Sequence, residues 1–451
     1  MLSPIRFAKR VKGAMSRPES LGATLVKGVV GTAGVKVAHA AITFATAALL
    51  AQALGPARYG IFSLVLAFVA LLTIPSELGI PGLAVREVAV TNAHKDWDHM
   101  RGFIVWSHRL VAVTCVALIA VGAACLLLWG DHLSPVKRAC MWLGLILVPV
   151  LSFGALRDSM LRGLRKVVLG QLPQQVIRPA VILVLLLIYL HAETGVRSPV
   201  VVMSLHITSV ALAFCFGLYF FLNARPIELS GAQSKFKSAA WLKSSIPFGL
   251  SAALQLINGR TDVLTLGFFR TDAEIGIYRV ASQMAAIVVF ALLSVNMIQG
   301  PHIAHLFSKG DMQMLQKMIT RSAQAVMLFA LPVVLVIVVF GEFIIRIVFG
   351  PEYESAYVPL VILCVGQLVN ASMGSVGALL NMTGHERDTT KSILVAAVVN
   401  VALNLSLVPL WGIIGAAVAT ASTLIVWNLI MWHKVRARIG IEPSLFFRRR
   451  S

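Results

Sequence analysis

The chain has 451 residues, of which 58% are hydrophobic and only 13% charged. That balance excludes an ordinary soluble domain, because too little polar surface remains to cover a core in water. The formal charge of +20 comes from 39 Lys and Arg against 19 Asp and Glu, and its clustering on loops and tails argues for a membrane rather than nucleic acid.

A spanning helix needs about 20 mostly apolar residues, because it rises 1.5 Å per residue through roughly 30 Å of hydrocarbon. Twelve such segments are expected, near 29–53, 60–85, 103–129, 139–161, 167–191, 198–222, 245–268, 276–300, 319–341, 357–380, 391–410 and 412–433. The fold class is therefore all-α, a polytopic membrane protein. The basic residues 1–27 lead into a run too long for a signal peptide, and Ile5, Phe7 and Val11 suit an interfacial segment with bases on the headgroups.

In the first segment Lys36, His39, Thr43 and Thr46 share one helix face. A turn follows, Leu54-Gly55-Pro56-Ala57-Arg58-Tyr59-Gly60-Ile61-Phe62, and its small-and-aromatic rhythm returns at Ile275-Gly276-Ile277-Tyr278. Gly276 lies 276 − 60 = 216 positions after Gly60, which predicts two halves rather than a repeat array. The second segment holds Pro75, Glu77, Gly79 and Pro81, marks of a kinked helix, and ends at Arg86-Glu87. The basic loop of Arg157-Asp158, Arg162, Gly163, Arg165 and Lys166 serves either to orient the chain or as a landing point for a phosphate headgroup. The fifth segment places Gln171, Gln175 and Arg178 on one face, bent by Pro173 and Pro179.

In the seventh segment Gln255, Asn258 and Asp262 share a face, and under the 216-residue offset His39 falls on Gln255 and Thr46 on Asp262. These stripes read either as polar helix–helix glue or as the walls of a cavity between the halves. Arg260, two residues from Asp262, points away from it on a regular helix, with Glu77 a candidate partner. Gln367, Asn370, Gly374, Gly377 and Asn381, like Asn400 and Asn404, suit close helix packing. The expected organisation is a basic segment 1–27, a six-helix lobe 28–222, a basic linker 223–240, a second six-helix lobe 241–433 and a basic tail 434–451. With the N-terminus inside, most Lys and Arg fall on cytoplasmic loops, leaving Arg58, Lys137, Arg138, Arg197, Arg270, Arg279 and Arg346 on the other side. Both termini are then cytoplasmic.

The five cysteines, Cys115, Cys125, Cys140, Cys215 and Cys364, have neither metal nor disulfide spacing. No phosphate loop, zinc motif, nucleophile elbow or paired-carboxylate site occurs, so neither an enzyme nor a cofactor or metal is expected. A charge near the bilayer centre costs about 2.5–3.5 kcal/mol. Lys36, Arg178 and Arg260 outnumber the deep acids Glu77 and Asp262, so the cavity is expected to be positive and to take an anion. Lys36, His39, Gln171, Gln175, Arg178, Gln255 and Arg260 are its candidate lining, Arg86 stands at its mouth, and Glu77 and Asp262 are candidates for ion coupling.

Leu54 to Phe62, with Leu78-Gly79-Ile80 and Arg86-Glu87-Val88-Ala89, resembles the N-terminal signature of the O-antigen and exopolysaccharide (Wzx-type) flippases of the MATE-like superfamily. That resemblance implies two pseudo-symmetric six-helix bundles in a bacterial inner membrane, a polyprenyl-pyrophosphate-linked oligosaccharide as cargo and alternating access, with Arg86 matching the signature arginine. The implied partners are this lipid-linked oligosaccharide, membrane lipids and a polysaccharide polymerase or chain-length protein, with no nucleic acid. A cation-coupled drug exporter of the same superfamily would need deep acids in excess of bases. A polymerase would need a large polar outer loop.

Overall fold

The computed structural model describes residues 21–192 and 197–445, apart from the side chains of 21–33, Ala291, Met297 and Ile298. Most of the N-terminal segment 1–27 and the last six residues of the tail lie outside the described residues. Every regular element among the described residues is helical.

The first helical stretch covers Leu21 to Glu77, 57 residues, which a straight helix would extend over about 86 Å. Gly55, at φ 69° and ψ 171°, breaks it into α1 (21–54) and α2 (56–77). His39 and Thr46 on α1 line the same cavity as Tyr59 and Thr73 on α2, so the chain doubles back at Gly55. Gly412, at φ 55°, likewise divides the helix Glu386–Ile439 into α13 (386–411) and α14 (413–439). There Asn400 donates to the Thr423 hydroxyl at 3.3 Å across the reversal. Both glycines occupy backbone angles that a Cβ disfavours.

Between these hairpins lie α3 (Ile80–Ala93), α4 (Trp97–Trp129), α5 (Pro135–Gly163), α6 (Val167–Ala192), α7 (Pro199–Ala224), α8 (Ser238–Phe269), α9 (Asp272–Ser308), α10 (Met312–Val348), α11 (Tyr357–Ser372) and α12 (Val376–Met382). The starts are chemically marked. Asp96 and Asp311 cap α4 and α10, Ser134 with Pro135 and Ser198 with Pro199 open α5 and α7, and a Thr271–Glu274 capping box opens α9. Counting α2 with α3 and α11 with α12, the described residues make twelve legs. The first begins by Leu21, earlier than its apolar run, and the last extends to Ile439. This is a multi-pass membrane protein.

The legs of the first six pack on one another through α5, which touches α2, α3, α4, α6 and α7; α11 and the α13–α14 hairpin play that part among the last six. Contact between the two sets runs mainly through α9 and α8 against α1–α3. At the face carrying Gly55, α2 crosses α9 so closely that a Cβ on Gly60 would overlap the Asp272 carbonyl, and one on Gly276 the Pro56 carbonyl. The two glycines separated by 216 positions therefore meet each other. Lys137 of α5 and Asp272 of α9 join the same face at 2.7 Å, and Tyr353 donates to the Ala51 carbonyl.

At the opposite face, carrying Lys235, the segment between α7 and α8 is strapped to the start of α4. Lys235 pairs with Asp98 at 2.9 Å, the Gln233 amide donates to Asp98, and Arg101 donates to the Ser230 and Ala232 carbonyls. This Asp98 contact holds the Lys235 ammonium above its ordinary value. Trp241 of α8 packs edge-on against Phe103 of α4, with Trp106 beside both.

Candidate functional site

A cavity of about 710 Å³ lies between α1, α2, α5, α6, His206 of α7, Arg260 of α8 and the start of α9. Its lining on α2 runs from Tyr59 to Glu77, about 27 Å of helix, so it reaches through most of the bilayer thickness. The Gly60–Gly276 crossing closes it at the Gly55 face, and Arg162, exposed at the end of α5, stands at the other end.

The wall contributed by α6 is irregular for a reason legible in its sequence. Pro173 and Pro179 each lack an N–H, and residues Pro173–Ile177 form a wide π-turn in which the Arg178 amide donates to the Pro173 carbonyl. The Gln175 carbonyl faces Pro179 four residues on and finds no amide there. It accepts instead from His39 Nδ1 of α1 at 3.0 Å. That bond ties α1 to α6 across the cavity wall. On the same turn Gln171 Oε1, Gln174 Nε2 and Gln175 Oε1 are buried without a partner among the described residues.

Four arginines line this space, Arg162 and Arg178 from the first six legs and Arg260 and Arg279 from α8 and α9. Arg162 donates to Ser159 at 2.7 Å. None of the four has a carboxylate within 4.0 Å among the described residues, where ion pairs form elsewhere. Of the two acids that line the space, Asp158 is taken up by Arg157 at 2.9 Å, and Glu77 makes no ion pair. The cavity is therefore strongly cationic.

His39, Gln171, Gln175, Arg178, Arg260 and Glu77 are thus brought together. The remaining candidates lie elsewhere. Lys36 is half-buried one turn below His39 and does not line the cavity, and Gln255 is exposed on α8. Arg86 pairs with its neighbour Glu87 at 3.0 Å and sits over the Phe248 ring of α8. Asp262 turns away from Arg260, as a two-residue spacing on a helix requires, and accepts from the Tyr278 hydroxyl at 2.6 Å. Arg260 does not pair with Glu77.

Two placements correct the sequence reading. Arg279, expected on the outer side, lines the cavity, one turn beyond Gly276 where α9 crosses α2; under the 216-residue offset it corresponds to Ser63, which lines it too. Arg157, expected in a basic loop, is 3% exposed, donates to the Phe214 carbonyl at 2.6 Å and lies 5.0 Å from that ring. It pins α5 to α7 and cannot meet a headgroup. Gln174, Gln283 and Arg162 are further lining residues that the sequence argument did not name as site residues.

Several known proteins are similar to this one. Over 181 residues the chain is 29% identical to the probable low-salt glycan biosynthesis flippase Agl15 of Haloferax volcanii, a match covering 40% of this chain and 38% of that protein. The chain spans about two fifths of the length of the curated relatives it matches. Its fold is that of an inward-facing multidrug resistance MATE family transporter of the MOP superfamily, with a TM-score of 0.73, 14% identity and coverage of 90% of this chain and 98% of that one. The lipid II flippase MurJ in an inward closed conformation aligns with a TM-score of 0.71 and 14% identity over 91% of this chain and 87% of its own. Residues 25–307 match the family described as polysaccharide biosynthesis protein, and the chain belongs to that family.

Proposed function

We propose that this protein is a flippase that moves a polyprenyl-pyrophosphate-linked oligosaccharide from the cytoplasmic to the outer leaflet of a bacterial inner membrane, by alternating access between two six-helix lobes. The observation that carries this reading is the set of cavity arginines, Arg162, Arg178, Arg260 and Arg279, left without carboxylate partners. Each charge near mid-membrane costs about 2.5–3.5 kcal/mol, which a water-filled cavity or a bound anion relieves. A pyrophosphate offers several anionic oxygens, and the guanidinium fork matches two of them at once. The flippase names of the relatives support the same cargo class. A cationic drug would meet repulsion here.

The clustering of Lys and Arg puts the Lys235 face and both termini in the cytoplasm. The cavity is then closed to the outside by the Gly60–Gly276 crossing and approached from within past Arg162. Transport in this reading is transfer of the headgroup through the cavity while the lipid tail stays in the bilayer, so no bond is made or broken. Glu77, the unpaired cavity carboxylate, is the foremost ion-coupling candidate; Asp262, engaged by Tyr278, is the second.

The test is restoration of surface polysaccharide in a flippase-deficient strain, with membrane abundance measured alongside. Arg178→Glu and Arg260→Glu are expected to abolish restoration, and Arg178→Lys to impair it although the charge remains. Full restoration by both charge reversals would exclude an anion-holding cavity.

A further inference from the structure

The arginines do not account for the other half of the α6 wall. Gln171, Gln175 and Arg178 follow one another at spacings of four and three along the cavity side of α6. Gln171 Oε1 and Gln175 Oε1 are buried acceptors with no partner among the described residues, and Gln174 Nε2, 2.8 Å from where a Cβ on Gly154 would lie, is a buried donor with none. A buried polar atom left unpaired is costly, so these ends are built for something that enters the cavity. A pyrophosphate cannot be that partner for the two oxygens, because its oxygens only accept. Sugar hydroxyls and acetamido groups both donate and accept.

We propose that Gln171 and Gln175 bind the first sugar of the cargo while Arg178, one turn along the same helix, holds the adjoining phosphate. This inference rests on the flippase reading and adds to it that the protein senses whether its lipid carries a sugar. The π-turn is the device that makes it possible. It fixes the Gln175 backbone carbonyl to His39 while the Gln175 side chain lines the cavity, so the backbone that carries the amide is held before any ligand arrives. Seven residues separate Gln171 from Arg178, about 10 Å along the helix, the reach of a diphosphate with one ring attached.

The experiment compares binding of two probes to the purified full chain in detergent. One is a bare polyprenyl pyrophosphate, the other the same lipid carrying a single N-acetylhexosamine. The parent protein is expected to bind the glycosylated lipid more tightly. Gln171→Leu and Gln175→Leu are each expected to weaken the glycosylated lipid about tenfold, a hydrogen bond's worth, with the bare lipid unchanged within about twofold. The unchanged bare-lipid affinity reports that the variant is folded. Gln175→Asn, which keeps the amide but shortens its reach, should give the same selective loss if leucine disrupts folding. Equal weakening of both probes, or no weakening of either, overturns the proposal. Failure of the parent to bind either probe would instead remove the flippase reading, and this inference with it.

Discussion

At the scale of single residues, charge and its partners decide what each position does. Arg157 and Arg178 lie 21 positions apart on adjoining helices, yet one is a structural pin and the other a cavity cation, because among the described residues only Arg157 makes a direct ion pair and donates to a carbonyl. Arg157→Ala is accordingly expected to destabilise the protein by about 3–5 kcal/mol, since it removes the one direct ion-pair partner of the buried Asp158, whereas Arg178→Ala, which breaks no direct ion pair, should cost much less in melting in detergent. The same logic separates Asp262 from Glu77. Tyr278→Phe removes the 2.6 Å donor to Asp262 and is expected to cost about 1–3 kcal/mol of stability. A Tyr278→Phe protein that melts with the parent would show that this hydrogen bond is not needed to keep Asp262 in place.

Among the elements, the end of the chain behaves unlike the free basic tail that its composition suggests. After α14, residues 441–445 fold back onto the Lys235 face. Gln316 of α10 and the Glu442 backbone exchange two hydrogen bonds, at 2.7 and 2.8 Å, and the Leu445 amide donates to the Ser372 carbonyl at the end of α11. Ile441 completes a small apolar cluster with Ile303, Leu315, Leu379 and Val435, separate from the main core. The α11–α12 break, with its backbone carbonyl at Ser372 free of the next helix, is what the tail satisfies. Removing residues 441–451 should therefore loosen α10, α12 and α14 together. Limited proteolysis is expected to cut between Ser372 and Val376 in the shortened protein and not in the full chain; equal resistance of the two would show that the tail merely rests there.

For the molecule as a whole, two ion pairs among the described residues join the first six legs or their loops to later parts of the chain, one at each face: Lys137–Asp272 at the Gly55 face and Asp98–Lys235 at the other. The first is the better shielded, with side chains 14% and 26% exposed against 60% and 33%. In the alternating-access cycle proposed above, the Gly60–Gly276 crossing parts, and Lys137–Asp272 with it. Lys137→Asp or Asp272→Lys alone is then expected to shift the population towards an open Gly55 face. The readout is labelling of a cysteine at Ser63, a lining position, by a membrane-impermeant thiol reagent from outside, in a background lacking the five native cysteines. The double swap should restore protection, with a coupling of about 0.5–3 kcal/mol. Labelling in the swapped protein as strong as in the single variants would rule out the pair as a latch.

What the sequence determined is what local chemistry and the bilayer dictate between them. Apolar runs of spanning length gave the all-α fold and the twelve legs, because hydrocarbon leaves a chain no other way to satisfy its backbone. Gly55 stood in an evident turn, Gly60 and Gly276 in a repeated rhythm, and Pro173 and Pro179 announced the bend that presents Arg178. The cost of deep charge selected Arg178 and Arg260 without any knowledge of neighbours. The tertiary structure alone decided which polar residues share a space. Lys36 lies one turn from His39 and yet off the cavity, Gln255 is exposed off the cavity although His39, its counterpart, lines it, and Arg279 lines it beside a crossing that Gly276 makes only by meeting Gly60, 216 positions earlier in the chain. Helical spacing fixes which residues share a face, but the direction that face looks depends on the packing of helices far apart in the chain. For the same reason a buried arginine with a partner and one without read alike in sequence, and only their surroundings make one a pin and the other part of a site.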